Sequence, residues 1–416
     1  MIFLSSVAVL RSSSLRSAGR FTVSAFSSSP IAAPRSSAAT TSSSALRVSF
    51  LEDLTRGFSS MAGGASANKS KYYTVGITGA SGLIGTAFQN ELQKAGTTVN
   101  GKPVRIVAFR RGDEVESVDA ESLGDEAFGS SKSVTVTWNP SGGENSVDET
   151  VLKSLDALVH LSGENISTGE GILAPLGIRP WTDSKKQEIL DSRTVTTAAL
   201  ASALARSGNK KCDLLVASGV GVYGPDFVGS GAAPAADESA DVSSTAGFLA
   251  EVSRVWEASS AEAKKAGNRV VQMRNGVALS TKGGALAKLY PIFFLGGGGI
   301  VGSGEQYFPF VSNRDVARAM VHLLETKSVS GPVNLCAPES ATNADFTNAM
   351  GSVLKRPTLL PFPGFAVSLL FGEMGEEVLL GGTKAAPKKL LDSGFRFLHP
   401  TVEDAVRSAV EEETEI

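Results

Sequence analysis

The sequence predicts an α/β protein with a doubly wound parallel sheet, followed by a smaller and mostly helical lobe. Three observations support this fold class: the strand candidates are apolar throughout, they alternate with helices, and the first one ends in a glycine-rich turn. Strands that are apolar on both faces are typical of parallel sheets covered by helices on both sides. A strand–helix order from the start of the folded region indicates the doubly wound arrangement.

Six short apolar runs predict the strands of this sheet. They lie at residues 72–79, 104–109, 133–138, 156–163, 212–219 and 269–279. Apolar residues at helical spacing predict the helices between them, at residues 83–96, 182–208 and 249–267. Thr182 or Asp183 should cap the longest helix, and Gly208 should end it.

Beyond about residue 280 the alternation of strands and helices weakens. The patterns predict a short strand and four helices, at residues 332–338, 314–325, 343–356, 365–382 and 401–412. We therefore divide the folded chain into residues 71–280, which hold the sheet, and a mixed lobe of residues 281–416 on the substrate side. The glycine-rich run 296–304 fits either flexible turns or a loop facing a substrate.

The first fifty residues differ in kind from the rest. They are rich in Ser, Ala and Arg, and the first acidic residues are Glu52 and Asp53. This composition is typical of an organelle transit peptide and lacks the periodicity of a packed core. RGFSS is similar to a mitochondrial processing site, and VSAFSSSP to the leaders of complex plastids. We predict a disordered transit peptide and linker over residues 1–70 and a destination in the plastid stroma or mitochondrion; a tail without an address is the alternative.

Composition excludes several kinds of partner. The 39 basic and 42 acidic residues nearly balance, which argues against a nucleic-acid partner. Two cysteines exclude a disulfide framework, and three widely spaced histidines predict no metal site. The apolar runs are too short to span a bilayer, so no membrane span is expected.

The first strand–helix turn, TGASGLIG, carries glycines at 79, 82 and 85. Glycines at this spacing let the chain turn tightly and let backbone N–H groups approach a pyrophosphate at a helix N-terminus. Strand, glycines and helix occur in the order of a Rossmann dinucleotide site, which makes residues 71–280 an NAD(P)-binding domain. The alternative is a turn without a ligand. The predicted contacts are Gly79, Ser81, Gly82, Leu83, Ile84 and Gly85.

Arg110 and Arg111 end the second strand of the sheet. Guanidinium groups at this position match a 2′-phosphate, so they favour NADP(H) over NAD(H). The alternative is two solvent-exposed arginines. At the end of the fourth strand, small residues would let the cofactor pass, and Glu164 would either accept from ribose hydroxyls or cap the next segment. The contacts predicted there are Leu161, Ser162, Gly163 and Glu164.

Several stretches together resemble the epimerase-family proteins of the YfcH-like subgroup, which are atypical short-chain dehydrogenases/reductases. They include TGASGLIG, HLSGENIS, RPWTDSKKQEILDSRT, VASGVGVYG, MRNGVALS and APESATNADF, and the resemblance runs from Tyr73 to Val410. The segment from about residue 355 to residue 410 is similar to that subgroup's own C-terminal extension. The resemblance implies an extended Rossmann fold, NADP binding and an unassigned catalytic role. Plant and cyanobacterial members are linked to plastids and to plastid division.

The usual catalytic relay of that superfamily is incomplete in this chain. Its Ser is matched by Ser218, but Leu249 and Ser253 stand where the resemblance places the Tyr and the Lys. Leu cannot transfer a proton, and Ser carries no charge to lower the pKa of a neighbour. Two interpretations remain: an oxidoreductase or epimerase using a rearranged set, with Ser218 and Tyr223 as candidates, or an NADP-binding regulator that has lost its chemistry. For Tyr223 we favour the alternative of a structural tyrosine, because such tyrosines usually find a hydrogen-bond partner when buried.

Two further features concern the substrate side. Arg193 and Arg274 are expected near the crevice on the substrate side. Arg274, which follows the sixth strand, would clamp a substrate carboxylate or phosphate, or would pair with a structural acid. Ser312 replaces a His of the family pattern, whereas Asp315 is kept.

Overall fold

The computed structural model describes residues 70–115, 133–143, 146–166, 180–225 and 234–414. Among these residues, eight strands form one sheet in the order β10-β7-β6-β5-β1-β3-β2, with β4 also paired to β3. The strands of this sheet are β1 Tyr73–Thr78, β2 Thr98–Val99, β3 Lys102–Arg111, β4 Ser133–Trp138, β5 Ala157–His160, β6 Asp213–Gly219, β7 Val270–Asn275 and β10 Gly331–Leu335. All pairings are parallel except that of β2 with β3.

Helices cover both faces of this sheet and build the second half of the chain. In the first half they are α1 Leu83–Gln93, α2 Glu149–Ser154, α3 Asp183–Ser207, α4 Phe248–Ala258 and α5 Ala261–Lys265. In the second half they are α6 Gly284–Phe294, α7 Asn313–Glu325, α8 Asn343–Leu354, α9 Gly364–Gly375, α10 Lys388–Asp392 and α11 Val402–Thr414. A two-stranded sheet joins β8 Val277–Leu279 to β9 Phe310–Ser312, and a π-helical turn Glu376–Leu380 follows α9. The predicted α/β fold class is confirmed.

The sheet reverses its strand order at β1. Thr78 pairs with Phe109 of β3 on one side and with His160 of β5 on the other. The chain therefore winds outward in opposite directions from β1, and ligands of doubly wound sheets bind outside the carboxyl ends of the strands at such a point. This topology places the glycine turn after β1 directly at the switch point.

Two apolar layers hold the helices against the two faces of the sheet. The first layer packs Val75, Ile77 and Ile106 against α1 and α7. The second packs Val107 and Phe109, with parts of β4 and β5, against α2, α3, α4 and α5. Because successive residues of a strand point to opposite faces, the alternation along β3 assigns each side chain to one layer.

Several element ends follow the predictions closely. Thr182 caps α3 by accepting from the Lys185 N–H, and Gly208 ends it in the left-handed region with φ of 72°. The strand predicted at 269–279 is divided at Gly276, because a Cβ there would lie 2.7 Å from the Pro309 oxygen, and the chain turns to pair with β9 instead. The helix predicted at 249–267 is also two helices, α4 and α5.

In the second half, the helix predicted at 365–382 is interrupted at Gly372, whose φ of 54° is not helical. Helix α6 was not predicted, because its glycines and Pro291 obscure the pattern.

The border predicted at residue 280 falls within one compact unit, Lys69–Ile416, and stays a prediction. The predicted transit peptide over residues 1–70 lies outside the described residues, except for Ser70. Within the described ranges, no helix combines the length and the apolar character that crossing a bilayer requires.

Candidate functional site

The turn after β1 brings the chain closer to itself than side chains would allow. A Cβ on Gly85 would lie 2.3 Å from the Gly79 oxygen, and a Cβ on Gly79 would lie 2.9 Å from the Ser162 nitrogen. Gly79 also has φ of 67°, which favours glycine. Helix α1 begins at Leu83 after Gly82, which provides no side-chain cap, and its first turn has no acid. Its N-terminal N–H groups and its positive dipole end therefore remain available to an anion.

The rest of the predicted phosphate contacts lie on this same turn. Ser81 and Gly82 are exposed, while Leu83 and Ile84 are partly buried at the start of α1. The Gly82 N–H donates to the Gly79 oxygen at 3.0 Å, which closes the turn. The structure therefore gathers all six predicted residues of the turn at the switch point between β1 and β5.

Arg110 and Arg111 lie at the carboxyl end of β3, next to the turn, and both are exposed. Alternation along β3 places Arg110 on the α1 face with Ile106, and Arg111 on the α3 face with Phe109. Among the described residues neither guanidinium has a hydrogen bond or an ion pair. Arg110, on the face of the glycine turn, is thus the better placed of the two for a phosphate on the adenosine ribose.

The segment after β5 is held by its neighbours in α3. Within Leu161–Glu164, the Glu164 N–H donates to Ser192 Oγ at 2.9 Å and its carbonyl oxygen accepts from Arg193 Nη2 at 2.9 Å. The Glu164 carboxylate accepts from Lys185 Nζ at 2.7 Å. Ser162 is buried and Gly163 is exposed above the Arg193 side chain. Side chains of α3 therefore hold the backbone of this segment, and Gly163 and Glu164 lie toward the crevice at the carboxyl ends of the strands.

Arg193 holds this segment through both terminal nitrogens of its guanidinium group. Besides the Glu164 oxygen it donates to the Ile189 oxygen at 3.0 Å, and its Cζ lies 5.1 Å from the centre of the Trp256 ring. Burial lowers the pKa of the group to about 10, against the opposing charge of Glu164. These contacts agree with a structural role better than with a clamp on substrate.

His160 is buried at the carboxyl end of β5. Its Nδ1 is 2.6 Å from Thr78 Oγ1 and its Nε2 is 3.0 Å from Thr196 Oγ1, so it joins β1 to α3. Complete burial, together with the charge of Arg111, lowers its pKa to about 3. The imidazole is therefore neutral and serves as a bridge between two hydroxyl groups.

Ser218 and Tyr223 belong to one buried polar network. Ser218 Oγ donates to Glu257 Oε1 at 2.9 Å, and Arg274 donates to both oxygens of Glu257 at 2.8 and 2.9 Å. Arg274 Nη1 also donates to the Tyr223 hydroxyl, which donates to Asn334 Oδ1 at 2.8 Å. Both residues thus lie at the carboxyl end of β6, but their polar atoms already have partners inside the protein.

The network also sets the protonation of its members. Burial raises the pKa of Tyr223 to about 12, although Arg274 opposes the shift. Burial would lower the pKa of Arg274, but the hydrogen bonds and charge of Glu257 outweigh it and raise the pKa above its usual value. A neutral phenol and a paired guanidinium are poorly suited to proton transfer near neutral pH.

Helix α4 brings Leu249 and Ser253 to the end of β6, where the resemblance places the missing Tyr and Lys. A Cβ on Gly221 would lie 3.3 Å from Leu249 Cβ, and one on Gly219 would lie 3.8 Å from Ser253 Oγ. The N–H groups of Phe248 and Leu249 donate to the two oxygens of Glu377, at 2.5 and 2.9 Å. A carboxylate from the C-terminal extension therefore occupies the N-terminus of α4.

A histidine of the C-terminal extension, His399, lies next to Ser312. Ser312 Oγ accepts from the Asp315 N–H as the cap of α7, and lies 2.9 Å from His399 Nδ1. Asp315 is fully buried and accepts from the N–H groups of Leu398 and His399 at 3.0 and 2.8 Å. An imidazole thus lies beside Asp315 although the family's His is absent from position 312.

Sequence reasoning missed three contributors to this region: Glu257 as the partner of Ser218, Lys185 as the partner of Glu164, and Glu377 at α4. No sequence signal pointed to Glu257 or to its partners. Lys185 lies in the first turn of α3, and the sequence offered only the predicted cap at Thr182 as a signal that this turn lies near the end of β5. Within the described ranges, no cluster of three His, Cys, Asp or Glu side chains could hold a metal ion.

Comparisons with known proteins agree with this geometry. The family model "NAD dependent epimerase/dehydratase family" matches residues 75–336, and "Domain of unknown function (DUF1731)" matches residues 362–409. Epimerase family protein Mb2239 of Mycobacterium bovis is 37% identical over 334 residues, covering 80% of this chain and 96% of its own. Epimerase family protein SDR39U1 of Homo sapiens is 34% identical, covering 66% of this chain and 90% of its own. The chloroplastic SDR39U1 homolog of Arabidopsis thaliana is 30% identical, covering 83% and 89%.

Solved structures show the same fold. The structure of human SDR39U1 isoform 2 with NADPH has a TM-score of 0.62 at 28% identity, covering 81% of this chain and 99% of that one. A nucleoside-diphosphate sugar epimerase from Corynebacterium glutamicum has a TM-score of 0.56 at 27% identity, covering 82% of this chain and 61% of that one. These matches confirm the resemblance stated from the sequence: the chain belongs to the NAD dependent epimerase/dehydratase family, in the group of SDR39U1-like epimerase family proteins that carry the DUF1731 domain.

Proposed function

We propose that this chain is an NADP(H)-binding oxidoreductase or epimerase of the atypical short-chain dehydrogenase/reductase type, acting on a small-molecule substrate. The observation that carries the proposal is the glycine turn, whose close backbone contacts leave the N-terminus of α1 open at the switch point of the sheet. A bound nicotinamide would supply a hydride. The solved human relative, which was crystallised with NADPH, supports the choice of cofactor.

The proposed contacts divide between the two halves of the cofactor. The turn residues Gly79, Ser81, Gly82, Leu83, Ile84 and Gly85 would hold the pyrophosphate through backbone N–H groups. Arg110 would hold the 2′-phosphate, and Arg111, on the opposite face of β3, would contribute mainly through its charge. Leu161, Ser162, Gly163 and Glu164 would border the nicotinamide half, because they follow β5 on the other side of the switch point.

Ser218 remains the proposed polar group for the substrate, since it ends the strand next to β5. Its hydroxyl donates to Glu257, so it would offer acceptor lone pairs to a substrate hydroxyl. Tyr223, Arg193 and Arg274 would position this site through their buried partners.

A second candidate function is a non-catalytic NADP-binding regulator, for example of plastid division. The observation that favours it is the filling of the relay positions by Leu249 and Ser253, together with the internal pairing of Ser218 and Tyr223. Leu249 and Ser253 cannot replace the Tyr and the Lys in proton transfer, and burial raises the pKa of Tyr223 to about 12.

One experiment separates the two functions. The full chain is titrated with NADPH by calorimetry and then assayed against a broad panel of carbonyl compounds. Turnover that falls at least ten-fold in Ser218→Ala supports the enzyme. Binding without turnover, with cellular function intact in Ser218→Ala and lost in Gly82→Val, supports the regulator. Failure to bind any pyridine nucleotide overturns both.

We also propose that the chain acts in an organelle, either plastid or mitochondrion. The leader-like composition of residues 1–70 supports this, and the Arabidopsis thaliana relative is named chloroplastic. A fluorescent fusion of residues 1–70 should accumulate in one of these organelles, and a cytosolic signal would contradict the proposal.

A further inference from the structure

Among the described residues, the cationic groups expected on the substrate side, together with Lys185, already have partners within the protein. Arg274 is buried and paired with both oxygens of Glu257, and Arg193 is held by backbone oxygens and the Trp256 ring. Lys185 is paired with Glu164. A diphosphate needs several such donors, and each of these would have to leave a partner that is itself partly or fully buried, which is costly.

A further positive feature near the end of β6 is the N-terminus of helix α4. The Glu377 carboxylate accepts from the first two N–H groups of this helix, at Phe248 and Leu249. A carboxylate at a helix N-terminus satisfies the unpaired donors and offsets the dipole. The position where a substrate phosphate could be bound is therefore occupied by an anion of the chain itself.

Contacts on both sides of Glu377 hold the segment of the extension that carries this carboxylate. Glu373, at the end of α9, is paired with Lys186 at the start of α3. The Gly382 N–H donates to the Pro225 oxygen at 2.7 Å, and Thr383 Oγ1 donates to the Gly224 oxygen at 2.9 Å. Because these contacts lie on both sides of Glu377, they hold the segment 373–383 in place and keep the Glu377 side chain beside the start of α4.

The described surroundings of Glu377 are largely apolar, and the nearby cation Lys186, whose Nζ lies 5.0 Å from the centre of the Phe248 ring, is paired with Glu373. The Phe248 ring packs edge-to-face against Trp181, with centres 5.0 Å apart, and Val378 next to Glu377 is exposed. Leu249 replaces the polar Tyr of the usual relay. Apolar walls favour an uncharged ligand. An anion would have to displace Glu377 from the N-terminus of α4, or Glu164 from Lys185, to gain comparable partners.

We propose that the substrate side takes an uncharged, largely apolar carbonyl or alcohol and rejects nucleoside diphosphate sugars, with Glu377 of the C-terminal extension as the specificity-determining residue. This inference rests on the proposed function, because it concerns the substrate of the same cofactor site.

The test measures binding to the full chain saturated with NADPH, using acetophenone as the uncharged probe and UDP-glucose as the anionic one. The expected dissociation constant for UDP-glucose is at least ten-fold higher than that for acetophenone. Glu377→Gln keeps the acceptor oxygen but removes the charge, and should improve UDP-glucose binding relative to acetophenone at least five-fold. Glu376→Gln, the matched control one residue away, should change this ratio less than two-fold.

Three results would overturn the proposal: tighter binding of UDP-glucose than of acetophenone by the wild-type chain, equal effects of the two variants, or binding of neither probe. Unfolding temperatures of the variants check that each is folded. NADPH binding is followed separately by its fluorescence, so loss of the cofactor site would be seen as failure of the proposed function, and the probe ratio would then be measured on the chain without nucleotide.

Discussion

The Tyr223 hydroxyl lies 3.0 Å from Arg274 Nη1, from which it accepts a hydrogen bond inside the protein. The same hydroxyl donates to Asn334, so it connects β7 with β10 through the 3₁₀ turn Val220–Tyr223. These two hydrogen bonds give Tyr223 a structural role below the carboxyl ends of the strands. It also explains why a tyrosine close to a Ser at the end of β6 need not be a catalytic acid.

We predict that Tyr223→Phe destabilises the fold by about 1–3 kcal/mol, because buried donors and acceptors of Arg274 and Asn334 lose a partner. Chemical denaturation measures this change, and NADPH affinity should stay within two-fold of wild type. Unchanged stability combined with loss of turnover would instead make Tyr223 a catalytic residue.

We predict different outcomes for two glycines of the same turn. Gly85→Ala places a Cβ 2.3 Å from a backbone oxygen, so it should lower stability by about 1–3 kcal/mol and weaken NADPH binding at least ten-fold. Gly82→Ala brings a contact of only 3.3 Å at an extended backbone, so it should keep the unfolding temperature while weakening NADPH. Equal stability losses in the two variants would contradict this reading of the turn.

We predict that Arg110→Ala lowers the preference for NADPH over NADH at least ten-fold, because the 2′-phosphate loses its guanidinium partner. Arg111→Ala should lower it by less than three-fold, since Arg111 lies on the opposite face of β3. Titration of both nucleotides by calorimetry makes the comparison. A larger effect from Arg111 would mean that the cofactor crosses the other face.

We predict a contribution of His160 to acid sensitivity. Its pKa is about 3 in the fold, against about 6.5 in the unfolded chain. The unfolded state therefore binds the extra proton between these values, and the stability that neutral His160 provides is complete above about pH 6.5 and lost as pH falls toward 3. The slope reaches about 1.4 kcal/mol per pH unit.

The measurement for His160 compares unfolding free energies at pH 7 and pH 4.5 in wild type and in His160→Gln. Acidic groups elsewhere add the same loss to both proteins, so the wild type should lose more by the His160 contribution alone. Parallel pH profiles would exclude this assignment.

Much of the fold was predictable because the signals are local. Thr182 and Gly208 mark the ends of α3 through capping and a left-handed residue, and the apolar runs of β1 and β6 are typical of buried strands in a parallel sheet. The division at Gly276 was not predictable, since it depends on Pro309 and Cys336, which approach it only in the folded chain.

The candidate site was predictable to the same extent. The glycine turn and the strand ends follow from motif and topology, so their residues meet where expected. The partners of Arg274, Arg193 and Leu249 depend on contacts across long stretches of chain, such as Glu377 with α4, and no periodicity in the sequence encodes these pairs. Whether an arginine faces substrate or a buried acid is decided by packing alone.

The cap of α4 has a consequence for biosynthesis. Phe248 precedes its partner Glu377 by 129 residues, so translation at about 5–20 residues per second separates their appearance by roughly 6 to 26 s. During that interval the nascent nucleotide-binding half leaves the ribosome with one helix start unsatisfied and its apolar neighbours uncovered. Completion of this half therefore waits for the segment around Glu377, and a product terminated before that segment would keep the start of α4 unsatisfied.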